Sequence, residues 1–321
     1  MNKYICAFKR FYKQIDEIKE KYKLNKFFIL LHALWCYIVY GSTPNDYIHF
    51  EFYKLRHCER KMYITHKKTL WLEKKFNDPK NKYIFDNKVE FNKNFKDFIN
   101  RKWIYIPDTN ESQFVNFLKK YKKVLLKPID LSSGKGISTI DYVSEDEAKK
   151  MYSNIKEKNI LIEEIAVNHH EIKRFNPSST NTIRIYTVVE KDGSVSIVGA
   201  IIRIGSKGAC VDNYHSGGVA AAIDIDTGII ISKLVDINNK RYVLHPTNHI
   251  QIIGSKIPNF DELKKSVKQA ALLFPTSRYI GWDICITESG FEYIEGNYNA
   301  NPDLLQNCEK EGKYYLLKSK I

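Results

Sequence analysis

Apolar positions change their period along this chain. Near the start Ile5, Phe8, Phe11, Ile15 and Ile18 recur at spacings of three and four with lysines between them, the pattern of a basic amphipathic helix. Phe27 to Tyr40 follows as an unbroken apolar run. It falls short of the roughly 20 residues a membrane span needs, and it is expected to form a buried helix. Beyond residue 110 helical and strand periods alternate. Ser112 to Lys120 reads as helix, Val124 to Lys127 and Ile137 to Tyr142 as strands, Ser144 to Glu157 as helix, and Ile160 to Ile162 as a buried strand. Three β-rich runs then lead to a helix over Asp261 to Phe274 and a hairpin of Tyr279 to Thr287 with Phe291 to Ile294, turned by Glu288, Ser289 and Gly290.

This pattern predicts an α+β chain. A helical, aromatic-rich region spans 1–110, a small lobe 111–166 and a larger lobe of antiparallel strands 167–321. No internal repeat and no low-complexity linker interrupts it. The 321 residues and 43% hydrophobic content suffice for two or three lobes with real cores.

Charge is unevenly placed. Residues 1–130 hold 28 Lys and Arg against 14 Asp and Glu, whereas 131–321 hold 23 of each, so the whole net charge of +14 belongs to the first part. Such a balance suits an anionic partner, whether nucleic acid, anionic lipid or sugar nucleotide, or else a solvated lysine-rich face. No nucleic-acid recognition motif accompanies it, so no nucleic-acid partner is expected. The first helix, residues 1–25, either lies on an anionic membrane or packs on its own protein. Six cysteines without CxxC spacing signal neither zinc nor a disulfide framework, and no secretory leader is legible. A cytoplasmic setting is expected, with peripheral contact at the inner membrane face as an option.

The chemistry is concentrated late in the chain. Asp283 lies in the Tyr279 strand, and Glu295 and Asn297 follow the next strand two residues apart, pointing to one side of an extended chain. Two carboxylates and an amide oxygen converging at a hairpin end suit magnesium, or else form a polar strand end that caps a helix. Ser132, Ser133, Gly134, Lys135 and Gly136 form a small-residue loop between strands, read either as a cover over phosphates or as a hairpin turn. It is neither a Walker loop nor a dinucleotide fingerprint. Arg184 and Arg203 sit inside apolar strands, where a cation needs a partner. That partner is expected to be Asp224 or Asp226, or else a phosphate gripped by the guanidinium forks. His169-His170 reads as a surface turn, Trp282 as core, and His245-Pro246 as a turn or an acceptor contact. His215 is a candidate for the phosphate site, and Asn299 and Asn301 for an acceptor cleft.

The residues that carry these features resemble the ATP-grasp superfamily: LLKP with SSGKG, the ILIEE strand, Arg203 followed by Asn213 and SGG, then Asp283, Glu295 and Asn297. NPSSTNTIRIYTV, His245-Pro246, GWDICIT and the EGN run into NPDLLQ look like the sugar-transfer-associated ATP-grasp proteins, linked to surface polysaccharide biosynthesis. The resemblance implies two α+β lobes clasping ATP. It implies that Lys127 contacts the ATP phosphates, that Ser132 to Gly136 cover them, and that Glu163 receives the adenine amino group beside a hinge of Glu164, Ile165 and Ala166. It further implies Glu171 at the ribose, Arg203 and Asn213 at the transferred phosphoryl group, Arg184 at a second phosphate or substrate contact, and Asp283, Glu295 and Asn297 around two Mg2+ ions.

The activity so implied is a carboxylate–amine ligase that works through an acyl phosphate. Its expected partners are a small or lipid-linked glycan substrate, such as a hexuronic acid, and an amino acid as amine. A phosphotransferase acting on a sugar or polyol hydroxyl would use the same residues, and a non-catalytic nucleotide- or membrane-binding module is the third reading. No GxSxG and no cysteine paired with a histidine offers a protein nucleophile, as expected when the covalent intermediate lies on the substrate.

Overall fold

The computed structural model describes residues 3–129, 136–205 and 217–321. The chain divides into two compact units, Met1–Phe76 with Asn299–Ile321, and Asn77–Tyr298. Strand β1 of the second unit, given below, precedes residue 111, where the sequence reading begins the small lobe.

The first unit is helical. It contains α1 (Lys3–Tyr22), α2 (Lys26–Tyr40), α3 (Pro44–His49), α4 (His57–Met62) and α5 (His66–Phe76). Two further helices of this unit come from the end of the chain and are numbered below. The expected basic amphipathic helix is α1. Its Phe11, Ile15 and Ile18 are buried in one cluster with Ile29, Cys36 and Tyr40 of α2, so α1 packs on its own unit. Helix α2 is held at both ends. The Asn25 side chain accepts from the Phe27 amide, and Gly41 closes the helix in the left-handed region at φ 65°. The expectation of a buried helix over Phe27 to Tyr40 is overturned: only Ile29, Cys36 and Tyr40 are buried, whereas Phe27 is 63% and Ile38 69% exposed. A helix that is apolar all round normally reads as interior, and here one flank alone is covered.

The second unit holds two antiparallel sheets. Its helices are α6 (Lys82–Asp86), α7 (Lys88–Asn94), α8 (Glu111–Tyr121), α9 (Glu145–Ile155), α10 (His170–Lys173) and α11 (Phe260–Leu272). Helices α12 (Asp303–Glu309) and α13 (Tyr314–Lys318) return to the first unit. The smaller sheet has the order β1-β4-β2-β3, from β1 (Trp103–Tyr105), β2 (Lys123–Pro128), β3 (Ser138–Asp141) and β4 (Ile160–Glu164). Phe114, Val115 and Leu118 of α8 and Ala148 and Ile155 of α9 form a single core with Val124, Ile140 and Ile162 of this sheet. Asn110 and Ser144 cap these two helices through their side chains.

The larger sheet has the order β11-β10-β5-β6-β7-β8-β9. Its strands are β5 (Thr182–Val189), β6 (Val195–Ile204), β7 (Val219–Ile223), β8 (Leu234–Asp236), β9 (Arg241–Tyr242), β10 (Tyr279–Thr287) and β11 (Gly290–Asn297). β-Branched residues dominate β5 and β6, as a half-buried pleated surface favours. Leu263, Val267, Ala270 and Ala271 of α11 recur at helical spacing and pack with Ile183, Ile185, Ile202, Ile280 and Trp282 into the main core. The alternate positions of those strands face away from this core, and they carry the charged residues described below.

One buried cation ties the two sheets together. Arg101 precedes β1, and its side chain is 3% exposed. Its Nη1 donates to Glu292 Oε1 on β11 and to the Tyr293 carbonyl, both at 2.6 Å. Its Nη2 donates to Glu163 Oε1 on β4 at 3.1 Å. Asn92 Nδ2 donates to the same Glu163 oxygen at 3.1 Å, and Lys127 of β2 pairs with the other oxygen. Two buried cations thus neutralise two buried carboxylates. Burial opposes ionisation of Glu163, but Arg101 and Lys127 outweigh it and hold the carboxyl well below the usual carboxylate range.

Arg101→Met should therefore cost about 3–5 kcal/mol at neutral pH, because it strands buried carboxylates. A group with a depressed folded pKa stabilises above its unfolded value, about 4, and that contribution is lost as pH falls below it. Wild-type stability should decline through that acid range, and the decline should be shallower in Arg101→Met. Urea midpoints measured from pH 7 to pH 3 check both expectations. Superimposable profiles would show that the network contributes nothing.

Candidate active site

Strand register places the charged residues side by side. Asp283 on β10 lies opposite Arg184 on β5 and opposite Glu295 on β11, and Thr182 of β5 lies opposite Arg203 on β6. Arg184 grips Asp283 with two nitrogens: Nε bonds Oδ1, and Nη2 donates to Oδ2 at 2.6 Å. Arg203 Nη1 donates to the same Oδ2 at 2.8 Å. Arg184 Nη2 also lies 3.9 Å from Glu295 Oε1. Asn297 Nδ2 donates to Glu295 Oε1 at 3.4 Å and to the Gly281 carbonyl at 3.2 Å. Among the described residues both embedded arginines thus pair with Asp283 and not with the expected Asp224 or Asp226, and the Asp224 carboxylate accepts from Thr227 in its own turn.

A bulge puts Glu295 on this face. The register shifts between Asp283 and Ile284, so that Asp283 pairs with Glu295 but Ile284 pairs with Tyr293. Tyr293 belongs to the core. Regular alternation would turn Glu295 to the same side as Tyr293, and the extra residue, Ile294, inverts that parity. Glu295 and Asn297 also lie inside β11 rather than after it, which corrects the shorter strand expected from the sequence.

The electrostatics separate the two carboxylates. Burial opposes charge on Asp283, but Arg184 and Arg203 hold its carboxyl well below the usual range. For Glu295, burial and the neighbouring Asp283 carboxylate push the pKa up. Its side chain remains 43% exposed, so solvent moderates that rise. Burial opposes the Arg184 cation too, and Asp283 overrides this and raises its pKa further.

Other sequence candidates fall elsewhere. Lys127 and Glu163 are joined in the buried network, and the Glu164 carboxylate accepts from the Lys102 amide at 3.2 Å. Ile165 and Ala166 follow β4, and the Ala166 carbonyl accepts from Thr180 Oγ1 at 2.9 Å. Glu171 lies on the short helix α10, paired with Arg174 at 3.1 Å and His170 at 3.6 Å. Gly136 takes a left-handed φ of 71°, a turn conformation that suits glycine. Ser132, Ser133, Gly134, Lys135, Asn213 and His215 lie outside the described residues. His245 is buried with Nε2 3.1 Å from the Gly205 carbonyl, which fixes a turn. Asn301 Oδ1 accepts from the Asp303 amide at 3.1 Å, and Asn299 is exposed. His169 and His170 stack at 4.3 Å on the surface and meet Glu288. Sequence reasoning missed Arg101, Glu292 and Asn92. Their only signal was a charge at an inward position of the Phe291 run and another two residues before Trp103.

A family model described as sugar-transfer associated ATP-grasp matches residues 68–318. No curated protein matches the chain. Among solved structures it is similar to the ATP-grasp ligase PsnB complexed with precursor peptide PsnA2 and AMPPNP, at 14% identity and a TM-score of 0.46, with 76% of this chain and 60% of that one covered. It is similar to a RiPP-associated ATP-grasp ligase of Chryseobacterium gregarium in complex with ADP and a leader and core peptide, at 15% identity and a TM-score of 0.45, covering 79% and 67%. It is also similar to D-alanyl-alanine synthetase A of Vibrio cholerae O1, at 12% identity and a TM-score of 0.43, covering 74% and 64%. The chain spans about three-fifths of the length of PsnB. With its mixed α+β architecture and a family match over most of its length, the chain belongs to the sugar-transfer associated ATP-grasp family.

Proposed function

We propose that this chain is an ATP- and Mg-dependent ligase that joins a carboxylate to an amine, and that it amidates a sugar or glycan precursor during assembly of a surface polysaccharide. The observation that carries the proposal is the alignment of Glu295, Asp283, Arg184 and Arg203 across four neighbouring strands. The family supports the nucleotide, and its description as sugar-transfer associated is the reason for reading the substrate as a glycan precursor.

The donor set fits magnesium in company with phosphate. Asp283, Glu295 and Asn297 offer hard oxygen ligands, as that ion prefers. In the described structure Asp283 and Glu295 are balanced by Arg184 and Arg203, so the four charges sum to zero. Two added Mg2+ ions would unbalance the face unless a polyphosphate came with them. We therefore assign Asp283, Glu295 and Asn297 to the metal, and Arg184 and Arg203 to substrate and phosphoryl oxygens, with Asn213 as a further member. Mg-ATP would supply the phosphoryl group that activates the carboxylate.

The protein groups bind and orient around it. Lys127 would meet the phosphates, held in place by Glu163 and through it by Arg101. Ser132 to Gly136 are assigned to cover them. Glu163, with Glu164, Ile165 and Ala166, would border the adenine, and Glu171 the ribose. Arg203 would steady the negative oxygen that forms when the amine attacks the activated carboxylate. The amine would form the C–N bond as the bond between the acyl carbon and the phosphate oxygen breaks, phosphate leaving and the amine's proton passing to solvent, so that the protein forms no covalent bond.

The deciding experiment supplies Mg-ATP with uronic-acid sugar nucleotides, with and without amino acids, and follows phosphate release and product mass. The expected product is the sum of sugar and amino acid less one water, with one ADP and one phosphate per turnover. A product carrying one added phosphoryl group, formed without amine, would replace the ligase by a phosphotransferase. Glu295→Gln should keep the fold and lower Mg-dependent turnover by at least about 100-fold. Wild-type turnover in that variant would remove Glu295 from the metal set.

A further inference from the structure

Helix α2 presents an apolar surface where a surface helix normally carries charge. At about 100° per residue, Ile29, Cys36 and Tyr40 fall within about 40° of one another, and these are its buried residues. Phe27, Leu31, Leu34, Trp35 and Ile38 fan across the opposite side, each at least 40% exposed. Phe28, Tyr37 and Val39 widen that arc, and they too are exposed. No Lys, Arg, Asp or Glu occurs from Phe27 to Tyr40. A monomer rarely keeps so continuous an apolar patch unless it serves contact.

The surroundings of this patch are basic. Lys19, Lys21 and Lys23 are exposed just ahead of it. The Arg60 guanidinium lies over the Trp35 ring, 5.7 Å from its centroid, and the nearby Arg56 side chain is 81% exposed. The helical unit as a whole, residues 1–76 with 299–321, holds 20 Lys and Arg against 10 Asp and Glu, a net of +10 within the +14 of the chain. His32 stacks on Trp35 at 5.7 Å and bonds Tyr47 Oη at 2.9 Å. Burial, and then Arg60, push its pKa below the ordinary value, so it adds no charge to the patch near neutral pH.

We infer that α2 and its basic rim form an in-plane anchor that docks this unit on an anionic lipid surface. Its 15 residues span about 22 Å, short of the roughly 30 Å hydrocarbon core, so the helix would lie along the interface instead of crossing it. Among the described residues no helix is long and apolar enough to cross a membrane. Trp35 and Tyr37 suit the boundary between headgroup and acyl chain, and the lysines and arginines suit anionic headgroups. A second copy of the chain is the poorer occupant. Twofold pairing through this face would set two basic rims against each other, two units of +10 apiece. The anchor uses α2, whereas Phe11, Ile15 and Ile18 of α1 are spent on internal packing.

The test is sedimentation of the full chain with vesicles of phosphatidylcholine alone and of phosphatidylcholine with phosphatidylglycerol. Partitioning should be at least about tenfold stronger on the anionic vesicles and should weaken with salt. The double variant Leu31→Glu with Ile38→Glu should lose binding by at least about tenfold while keeping its thermal midpoint, since both side chains are exposed. Replacing Lys19, Lys21 and Lys23 by Gln should weaken binding to the anionic vesicles only. Tryptophan emission should shift to the blue on vesicle addition, and Trp35→Phe should remove that shift. Wild-type protein that stays in the supernatant, or a double variant that binds as the wild type does, overturns the inference. A stable dimer that the double variant dissociates, and that ignores vesicles, would assign the face to self-association instead. None of these readouts needs ATP or metal, so their failure is separable from failure of the ligase reading.

Discussion

The second unit depends on burying Arg101. Its guanidinium reaches a carboxylate on each sheet, Glu163 on β4 and Glu292 on β11, and also a backbone carbonyl of β11. Only a planar fork with several donors in fixed directions can satisfy acceptors on two separate elements at once. Lysine would bring a point charge and leave one sheet unsatisfied. Burying a cation is expensive, and the cost is offset only because two carboxylates, the Asn92 side-chain oxygen and a carbonyl converge on it. Such an arrangement tolerates little sliding of one sheet against the other, because any shift breaks charged bonds between buried groups. Lys127 joins the network through Glu163, so the position of that lysine is coupled to the same anchor.

The larger sheet divides its labour between faces. One face supplies the core with Ile183, Ile185, Ile202, Ile284 and Tyr293, and the other collects Arg184, Arg203, Asp283 and Glu295. Strand alternation alone would achieve this for β10 and β5. On β11 it fails, because Tyr293 and Glu295 are two residues apart yet must face opposite ways. The bulge at Ile294 resolves the conflict by adding one residue to one strand. Gly296 then faces the core, where a Cβ would meet Phe85 and Phe91 at 2.8 and 2.9 Å. The same few residues thus satisfy a packing demand on one side and a chemical one on the other.

How much of this was legible in the sequence follows from which signals are local. Tyr279 to Thr287 was readable to the residue, because a continuous apolar run bounded by turn residues has few alternatives. The helix around Leu263 to Ala271 was readable from its spacing. Asp283, Arg184 and Arg203 stood out as charges in apolar strands and Glu295 as a carboxylate just past one, and the structure brings all four together. The partner of the arginines was not legible, since it lies 99 and 80 residues away and depends on strand order. The bulge was hidden because it is a property of a pair of strands. Arg101 was hidden because its neighbours Asn100 and Lys102 are exposed, and a charge between exposed residues reads as surface.

Helix α2 shows the limit of periodicity from the opposite direction. Its low amphipathicity comes from apolar residues on every side, and that pattern carries no information on which side is covered. In a globular unit the usual resolution is burial all round, which requires enough surrounding chain. Here α1 and the aromatic cluster around Tyr47 and Phe52 cover one flank. The aromatic and aliphatic residues of the other flank meet solvent beside Arg60 and the exposed lysines ahead of Asn25. Hydrophobic content predicts that a surface will be covered; the charge around it says what kind of surface can cover it. A neutral apolar partner would leave that rim of cations unanswered, and an anionic lipid surface answers both at once.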